Sequence, residues 1–504
     1  MEDKYILTID QGTTSTRTIL FNNKGEIICK SQMEFTQICP KNGWVEHNPE
    51  EIYELTVQTI KNVLNSSSID IKKIKAIGIT NQRETTVLWD KTTGKPVYNA
   101  IVWQSRQSLS ICEELINSGK EEIFKEKTGL IINPYFSGSK IKWIFDYVKG
   151  VKERALNNEI LFGTIDTYLL WKLTNGKVHA TDYSNASRTL LINIKTLEWD
   201  DELCRYFDVP KCILPEVLPS SNVYGYALSL SKIDKYFENI PIASLIGDQQ
   251  AALFGQCCFD LGDCKSTYGT GCFILMNTKD KIIKSQKGLL TTIAWGLNGK
   301  VEYALEGSVF VSGSVIQWLR DNMEFFENSN DCEKSVREKN PSNGVYFVPA
   351  FVGLGTPYWD NDARGAIFGL TRATTKNNIT AAAIEASPYQ AKAVMDAMIE
   401  EANHDILYLG VDGGASINNY MMQFQADLLN AKLIRPKCLE TTALGACYLA
   451  GLATGVFESI DQIKKMHQVE QVFVRNISDE ELYNRMNGWN QAISSTLSYK
   501  IKNN

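Results

Sequence analysis

Histidine is scarce: His47, His179, His404 and His467 are the only four in 504 residues. They lie far apart with no partner at helical spacing, which excludes a histidine-built metal site or catalytic triad. Long apolar runs are missing too. The most continuous stretch, residues 446–457, falls well short of the roughly 20 apolar residues that cross a bilayer and reads as a core helix. There is no excess of basic charge: 52 Lys and Arg face 58 Asp and Glu, a net charge of −6. Nucleic acids and anionic membranes need a concentrated basic face, so both are excluded as general partners, while a local anion pocket remains open. No long polar tract marks a disordered segment, and with 44% hydrophobic and 22% charged residues nearly the whole chain is expected to fold. No signal-like segment precedes the first strand, because charged Glu2, Asp3 and Lys4 lead straight into it. A reducing, cytoplasmic setting is expected. The 12 cysteines are scattered, and adjacent Cys257 and Cys258 lack zinc-knuckle spacing. They are expected to be buried, unpaired thiols.

What is present points to a two-part α/β protein. A chain of 504 residues exceeds the size at which one core keeps growing, and two cores imply a cleft between them. Residues 5–10 form an apolar strand ending in an acid, 11–15 a turn of glycine and hydroxyls, and 16–22 a second strand. Residues 263–267, 268–271 and 272–277 repeat this strand, turn and strand. The two tips, DQGTTST and TYGTGCF, suggest an internal duplication with a break near Gly255. Strands are expected at 74–80, 85–90, 345–349 and 406–410, and helices at 49–64, 140–148, 379–401 and 418–429. This alternation predicts mixed sheets covered by helices in both halves. Ser387 and Pro388 fall inside 379–401, where proline removes a donor and crowds the preceding turn. A kink or break is expected there.

Four constellations carry candidate chemistry. At the first tip, Gly12 admits an anion to the backbone, and Thr13, Thr14 and Ser15 offer N–H and hydroxyl groups. Asp10 is placed for a hydrated divalent cation and Arg17 for a transferring phosphoryl group. A plain surface hairpin is the competing reading. The second tip, Gly269, Thr270 and Gly271, favours the phosphate reading, since two such turns on one cleft can hold one polyphosphate. Neither tip has the lysine of a P-loop. Next, Asn81, Gln82, Arg83 and Glu84 interrupt two apolar strands, as a segment crossing a wet cavity would. Arg83 donates and Glu84 accepts, which suits vicinal hydroxyls, although an ion pair closing a hairpin reads equally well. Trp103 and Tyr135 stand in polar surroundings and offer apolar faces to a small polyol or to the core. Asp248 ends the apolar strand 245–247 and precedes a helix, so it is either a base for an attacking hydroxyl or a helix cap. Finally, the glycines of 411–415 admit a nucleobase or phosphate, or simply make a tight turn, with Asn418 one turn into the following helix.

Ordered segments along the whole chain then carry a resemblance. They are DQGTTSTR (10–17), GWVEHNP (43–49), TNQRETT (80–86), YFSGSKIKW (135–143), GDQQAALFGQ (247–256), STYGTGCF (266–273), PYWDNDARGAIFGLTR (357–372) and ETTALGA (440–446). The chain resembles the FGGY carbohydrate kinases from end to end. The resemblance implies two actin-like, RNase H-like ATPase domains, residues 1–254 and 255–504, flanking a central cleft. It implies ATP as phosphoryl donor and glycerol as acceptor, in a homodimer or higher homo-oligomer. Polyol contacts would be Arg83, Glu84, Tyr135, Asp248 and Gln249, with Trp103 and Phe273 against the carbons and Asp248 as the base. Nucleotide contacts would be Thr13, Thr14, Ser15, Arg17, Gly269, Thr270 and Gly271, with Gly313, Gln317, Gly414 and Asn418 bordering the nucleoside. Mg2+ would sit near Asp10 and Asp248, largely through water. Bacterial members carry a glycine- and arginine-bearing loop that binds a sugar bisphosphate inhibitor. Here residues 229–239 read SLSKIDKYFEN, so loss of that inhibition is expected. A kinase of another polyol or ketose, and a non-enzymatic nucleotide switch, are the alternatives; a substrate panel separates the first, and ATP binding without a phosphorylated product would mark the second.

Overall fold

A computed structural model of the chain describes residues 3–336, 340–360 and 362–499, so Asn361 of the PYWDNDARG segment lies outside the described residues. Two main sheets organise it. The first contains β1 (Tyr5–Gln11), β2 (Ser15–Asn22), β3 (Ile27–Glu34), β4 (Ile74–Asn81), β5 (Ser221–Tyr226) and β6 (Pro241–Gly247), in the order β5-β6-β4-β1-β2-β3. The second contains β7 (Cys264–Tyr268), β8 (Cys272–Lys279), β9 (Leu290–Leu297), β10 (Lys300–Val309), β11 (Tyr408–Asp412), β12 (Lys432–Pro436) and β13 (Val469–Phe473). Its order is β9-β10-β8-β7-β11-β12-β13.

The two sheets share one scheme. In each, an antiparallel hairpin (β1 with β2, β7 with β8) is extended by a further antiparallel strand on the hairpin's second strand (β3, β10). A parallel strand flanks the hairpin's first strand (β4, β11), a second parallel strand follows (β6, β12), and an antiparallel strand closes that edge (β5, β13). The repeat seen at the two tips thus extends over both halves. Register fixes the chemistry at the first tip: Tyr5 lies opposite Asn22 and Gln11 opposite Thr16, which sets Asp10 opposite Arg17.

Helices α1 (Pro49–Ser67), α2 (Asp248–Gly255), α3 (Gly313–Asp321), α4 (Lys376–Ala402), α5 (Asn419–Leu428) and α6 (Thr441–Ala453) complete the frame. Local chemistry starts α1 where the pattern expects it: Asn48 caps it by accepting from the Glu50 N–H, Pro49 opens it, and Glu50 and Glu51 face its positive end. Helices α2 and α6 form a layer between the sheets. One apolar cluster joins Ile6, Ile19, Phe21 and Ala76 of the first sheet to Leu275, Ala294 and Ala304 of the second through Ala251, Phe254, Ala443 and Leu449. The helices meet at glycines: a Cβ on Gly445 would lie 1.9 Å from the Ala251 carbonyl oxygen, and one on Gly255 would lie 2.0 Å from that of Thr441. Alanine normally favours a helix over glycine by about 1 kcal/mol. Gly445→Ala is nonetheless expected to lower stability by about 1–3 kcal/mol, because the added methyl forces the two helices apart. A thermal unfolding midpoint at or above wild type would contradict this crossing.

Several expectations need correction. Helix α4 runs through Pro388 without a break. Ile384, Tyr389, Ala391 and Val394 bury it on several sides, and Ser387 hydrogen-bonds Ser312 at 2.6 Å, so tertiary packing outweighs the lost backbone bond. The strand expected at 85–90 is shorter, Val87–Asp90, and pairs with Ile160–Gly163; Arg83 and Glu84 therefore close no hairpin. Asn418 does not lie one turn into a helix; it caps α5, accepting from the Met421 N–H at 2.9 Å. The core helix expected at 446–457 is α6, ending at Ala453, with Phe457 packed into the same core. None of the 12 cysteines is paired; Cys39 and Cys212 are exposed, and Cys29 and Cys438 are partly buried.

Candidate active site

Strands β4 and β6 run parallel and end side by side, Asn81 opposite Gly247, so the residues that follow each strand emerge together. After β4 the chain turns sharply, with Glu84 in the left-handed region at φ 60°, a conformation that costs a non-glycine residue about 1–3 kcal/mol. Arg83 and Glu84 are thereby turned inward and buried. After β6, Gly247 takes the cap position of α2 and Asp248 stands in its first turn, its carboxylate accepting from the Gln249 N–H at 2.8 Å. The helix thus leaves Asp248 free for other work. Its Oδ1 lies 3.2 Å from Arg83 Nε, and 26% of its side chain is exposed, the accessible face of an otherwise buried ionic group.

Around this carboxylate the expected polyol residues converge. Arg83 donates to the Tyr135 hydroxyl at 3.4 Å. Trp103 meets Tyr135 and Phe273 edge to face, at ring separations of 5.5 and 6.2 Å. The amide oxygen of Gln249 accepts from Lys265 Nζ, which also donates to the Thr267 hydroxyl at 2.9 Å and the Phe273 carbonyl at 3.3 Å. The result is a cluster in which aromatic rings stand beside charged donors and acceptors. Such a set suits a compact, heavily hydroxylated molecule, whose desolvation must be matched by paired groups.

The phosphate-type tips stand beside it. At the first, Gly12 donates to the Ser15 carbonyl at 3.0 Å, and the Thr13 hydroxyl accepts from Trp103 Nε1 at 3.0 Å, which ties tip and cluster together. Ser15 is buried and accepts from Gln32 at 3.0 Å, whereas Thr14 is exposed. Arg17 is engaged by carboxylates: Nη1 donates to Glu440 at 2.7 Å and Nε lies 3.6 Å from Asp10. At the second tip, Gly269 and Thr270 are exposed, and their carbonyls accept from the Gly313 and Ser312 N–H groups, both at 2.9 Å. A cavity of about 530 Å³ opens there, lined by Gly269, Thr270, Gly313, Gln317, Gly414 and Asn418. All six were expected at the nucleotide. Gly271 and the first tip (Thr13, Thr14, Ser15 and Arg17) do not line this cavity.

Four charged residues of the site escaped the sequence reading: Arg188, Lys265, Glu306 and Glu440. Glu306 and Arg188 are wholly buried, and Glu306 accepts from both Arg83 and Arg188. The available signal was a lone ionised residue inside an apolar strand, as in Leu305-Glu306-Gly307 and Cys264-Lys265-Ser266. Burial sets the protonation of the group. It raises Asp248 above the ordinary carboxylate range, against the pull of Arg83 and Lys265. It likewise raises Asp10 to about 6; Arg17 opposes the rise, and the charges of Glu440 and Asp248 add to it. Burial works against charge on Glu306 too, but Arg188 and Arg83 hold it well below its usual value.

The FGGY family of carbohydrate kinases matches through its N-terminal domain over residues 5–255 and its C-terminal domain over residues 264–454. Glycerol kinase of Brevibacillus brevis is 57% identical over 503 residues, covering 100% of both chains. Glycerol kinase of Bacillus subtilis is 55% identical over 500 residues, covering 99% of this chain and 100% of that one. Among solved structures, Plasmodium falciparum glycerol kinase with ADP superposes with a TM-score of 0.92 at 36% identity over 99% of each chain. Gluconate kinase from Lactobacillus acidophilus, at 23% identity and a TM-score of 0.88 over 99% of each chain, shares the fold. The architecture is that of the actin-like ATPases, two mixed-sheet units about a cleft, and the chain belongs to the FGGY family of carbohydrate kinases.

Proposed function

We propose that this protein transfers the γ-phosphoryl group of ATP to a terminal hydroxyl of glycerol, giving glycerol 3-phosphate. The observation that carries the reading is the exposed face of Asp248, set against Arg83 in a cluster with Trp103, Tyr135 and Phe273 that is tied to the first glycine-threonine tip through Thr13. Glycerol would lie with its carbons on the aromatic rings and its hydroxyls on Arg83, Glu84, Asp248 and Gln249. Asp248 orients the attacking oxygen and takes its proton late, since phosphoryl transfer passes through a loose transition state. Thr13, Thr14, Ser15, Gly269, Thr270 and Gly271 would hold the phosphates, and Gly313, Gln317, Gly414 and Asn418 the nucleoside. Arg17 would meet the transferring group after loosening its hold on Glu440. Residues 1–254 and 255–504 would close as two domains, bringing hydroxyl and phosphorus into line and excluding water. The same reading carries a cytoplasmic homodimer or higher homo-oligomer; among the described residues no helix is long and apolar enough to cross a membrane.

The donor set fits Mg2+. Asp10 and Asp248 offer hard carboxylate oxygens, and burial, with smaller contributions from the charges of Glu440 and Asp248, raises Asp10 against the pull of Arg17, so a cation there would offset the cost of its charge. Among the described residues no cluster of three or more His, Cys, Asp or Glu side chains could hold a metal, so water and the triphosphate would supply most ligands, as is usual for this ion. When bound it supplies charge neutralisation at the phosphates. A proton and the cation compete for Asp10, so the Mg2+ requirement should climb as pH falls below about 6, approaching about tenfold per unit. Asp10→Asn should raise the requirement at neutral pH and flatten that climb; Mg2+ titrations of initial rate at several pH values check both. A coupled assay with ATP and glycerol, with and without Mg2+ and against a panel of other polyols and ketoses, tests the whole reading. It fails if another acceptor is used with higher kcat/KM, or if no acceptor is phosphorylated.

A further inference from the structure

We infer that Glu306 and Arg188 are positioning residues for the polyol pocket: they fix the guanidinium of Arg83 and the carboxylate of Glu84 in a closed ionic ring built from both halves of the chain. This rests on the glycerol reading above. Glu306 belongs to β10 of the second sheet, whereas Arg83, Glu84 and Arg188 all come from the first half. Its Oε2 accepts from Arg83 Nη1 at 2.5 Å, and its Oε1 accepts from Arg83 Nη2 at 3.2 Å and from Arg188 Nη2 at 2.8 Å. Arg188 Nε donates to Glu84 Oε1 at 2.6 Å, and that oxygen lies 3.8 Å from Arg83 Nε. Two arginines and two glutamates alternate, all wholly or almost wholly buried.

The ring decides which edge of Arg83 faces the substrate. A guanidinium is a planar fork, and a carboxylate that takes both Nη groups fixes its plane. With Glu306 in that place, Nε is left toward Asp248 and the second proton of Nη2 toward the Tyr135 hydroxyl. Without Glu306, the fork keeps only neutral acceptors, among them the Gln250 amide oxygen 3.3 Å from Nη1, and the nearest remaining carboxylate contact of the guanidinium is Asp248, 3.2 Å from Nε. Arg83 would then close on the base and occupy the space a hydroxyl needs. Arg188 does for Glu84 what Glu306 does for Arg83, and its plane is held over the Tyr135 and Phe136 rings at 5.5 and 5.2 Å. Among the described residues buried Arg188 Nη1 has no hydrogen-bond partner, and the residue meets the ring through Nε and Nη2.

A ring that merely joined the halves would make a different prediction, because loosening it would weaken both substrates alike. Purified full-length Glu306→Gln, Glu306→Asp and Arg188→Lys variants separate the two. Positioning predicts that the glycerol KM of Glu306→Gln rises about tenfold or more, the range in which loss of a charge-assisted hydrogen bond shows itself. The ATP KM should stay within about twofold, and Glu306→Asp, which keeps the charge, should fall between Gln and wild type. Arg188→Lys keeps its charge but cannot hold both carboxylates in one plane, so it should raise the glycerol KM while leaving that of ATP. A glycerol KM within about twofold of wild type in every folded variant, or a parallel rise for ATP, overturns the inference. Should Glu306→Gln fail to fold, the other two variants are read by the same criteria. Wild-type protein unable to phosphorylate glycerol defeats the underlying reading instead, and the two failures are distinct.

Discussion

Asp248→Asn is expected to lower kcat by about 10²- to 10⁴-fold, the usual contribution of a positioned general base, while glycerol affinity stays within about tenfold of wild type. The substitution keeps the shape of the side chain and one oxygen to face Arg83 Nε, now 3.2 Å from the carboxylate, and the Gln249 N–H. What it removes is the site that receives the proton of the attacking hydroxyl. Burial raises Asp248 above the usual carboxylate range, with Arg83 and Lys265 opposing the rise. The wild-type rate should therefore fall toward acid pH as this group takes up its proton, and the variant should lose that acid limb. Steady-state kinetics across pH, paired with calorimetric titration of glycerol, separates the two effects. Turnover close to wild type in the variant rejects the role.

Arg83→Ala should do the opposite, raising the glycerol KM by about 100-fold with a smaller change in kcat, because it removes binding donors and leaves the base. It carries a second cost. Glu306 and Glu84 would stay buried with Arg188 as their remaining ionic partner, and breaking a buried ion pair from one side typically costs about 3–5 kcal/mol. Urea unfolding measures that loss separately from the kinetics. A glycerol KM unchanged in a folded variant would remove Arg83 from the pocket.

Much of the frame was legible because it rests on local signals. The β1–β2 and β7–β8 hairpins are announced by apolar strands broken by Gly and Thr, and Asp248 by the polar residue that ends an apolar strand. The ionic ring was not legible, since Arg83 and Glu306 are 223 positions apart and no spacing rule joins them. Arg17 was expected to face phosphate from its place near the first tip; its contact with Glu440 depends on how α6 docks, which the tip cannot encode. Pro388 misled in the other direction. A local rule forecast a break, but the helix is gripped along its length by neighbours that the rule does not see. Propensity is decisive where the surroundings are weak and yields where they are dense.

The shared layer of α2 and α6 has a consequence for how the protein comes to be made. One face of the first sheet, including Ile6, Ile19, Phe21 and Ala76, is covered by Ala443, Ala446 and Leu449. These belong to α6, Thr441–Ala453, which is far later in the sequence than the strands it covers. While the ribosome is still adding the intervening stretch, that face lacks the cover of α6, so a sticky surface persists until α6 is made. Contacts between such distant segments also slow the search for the native state. A truncated product that stops after the first sheet inherits the same bare face, and coalescence with its neighbours is its natural fate.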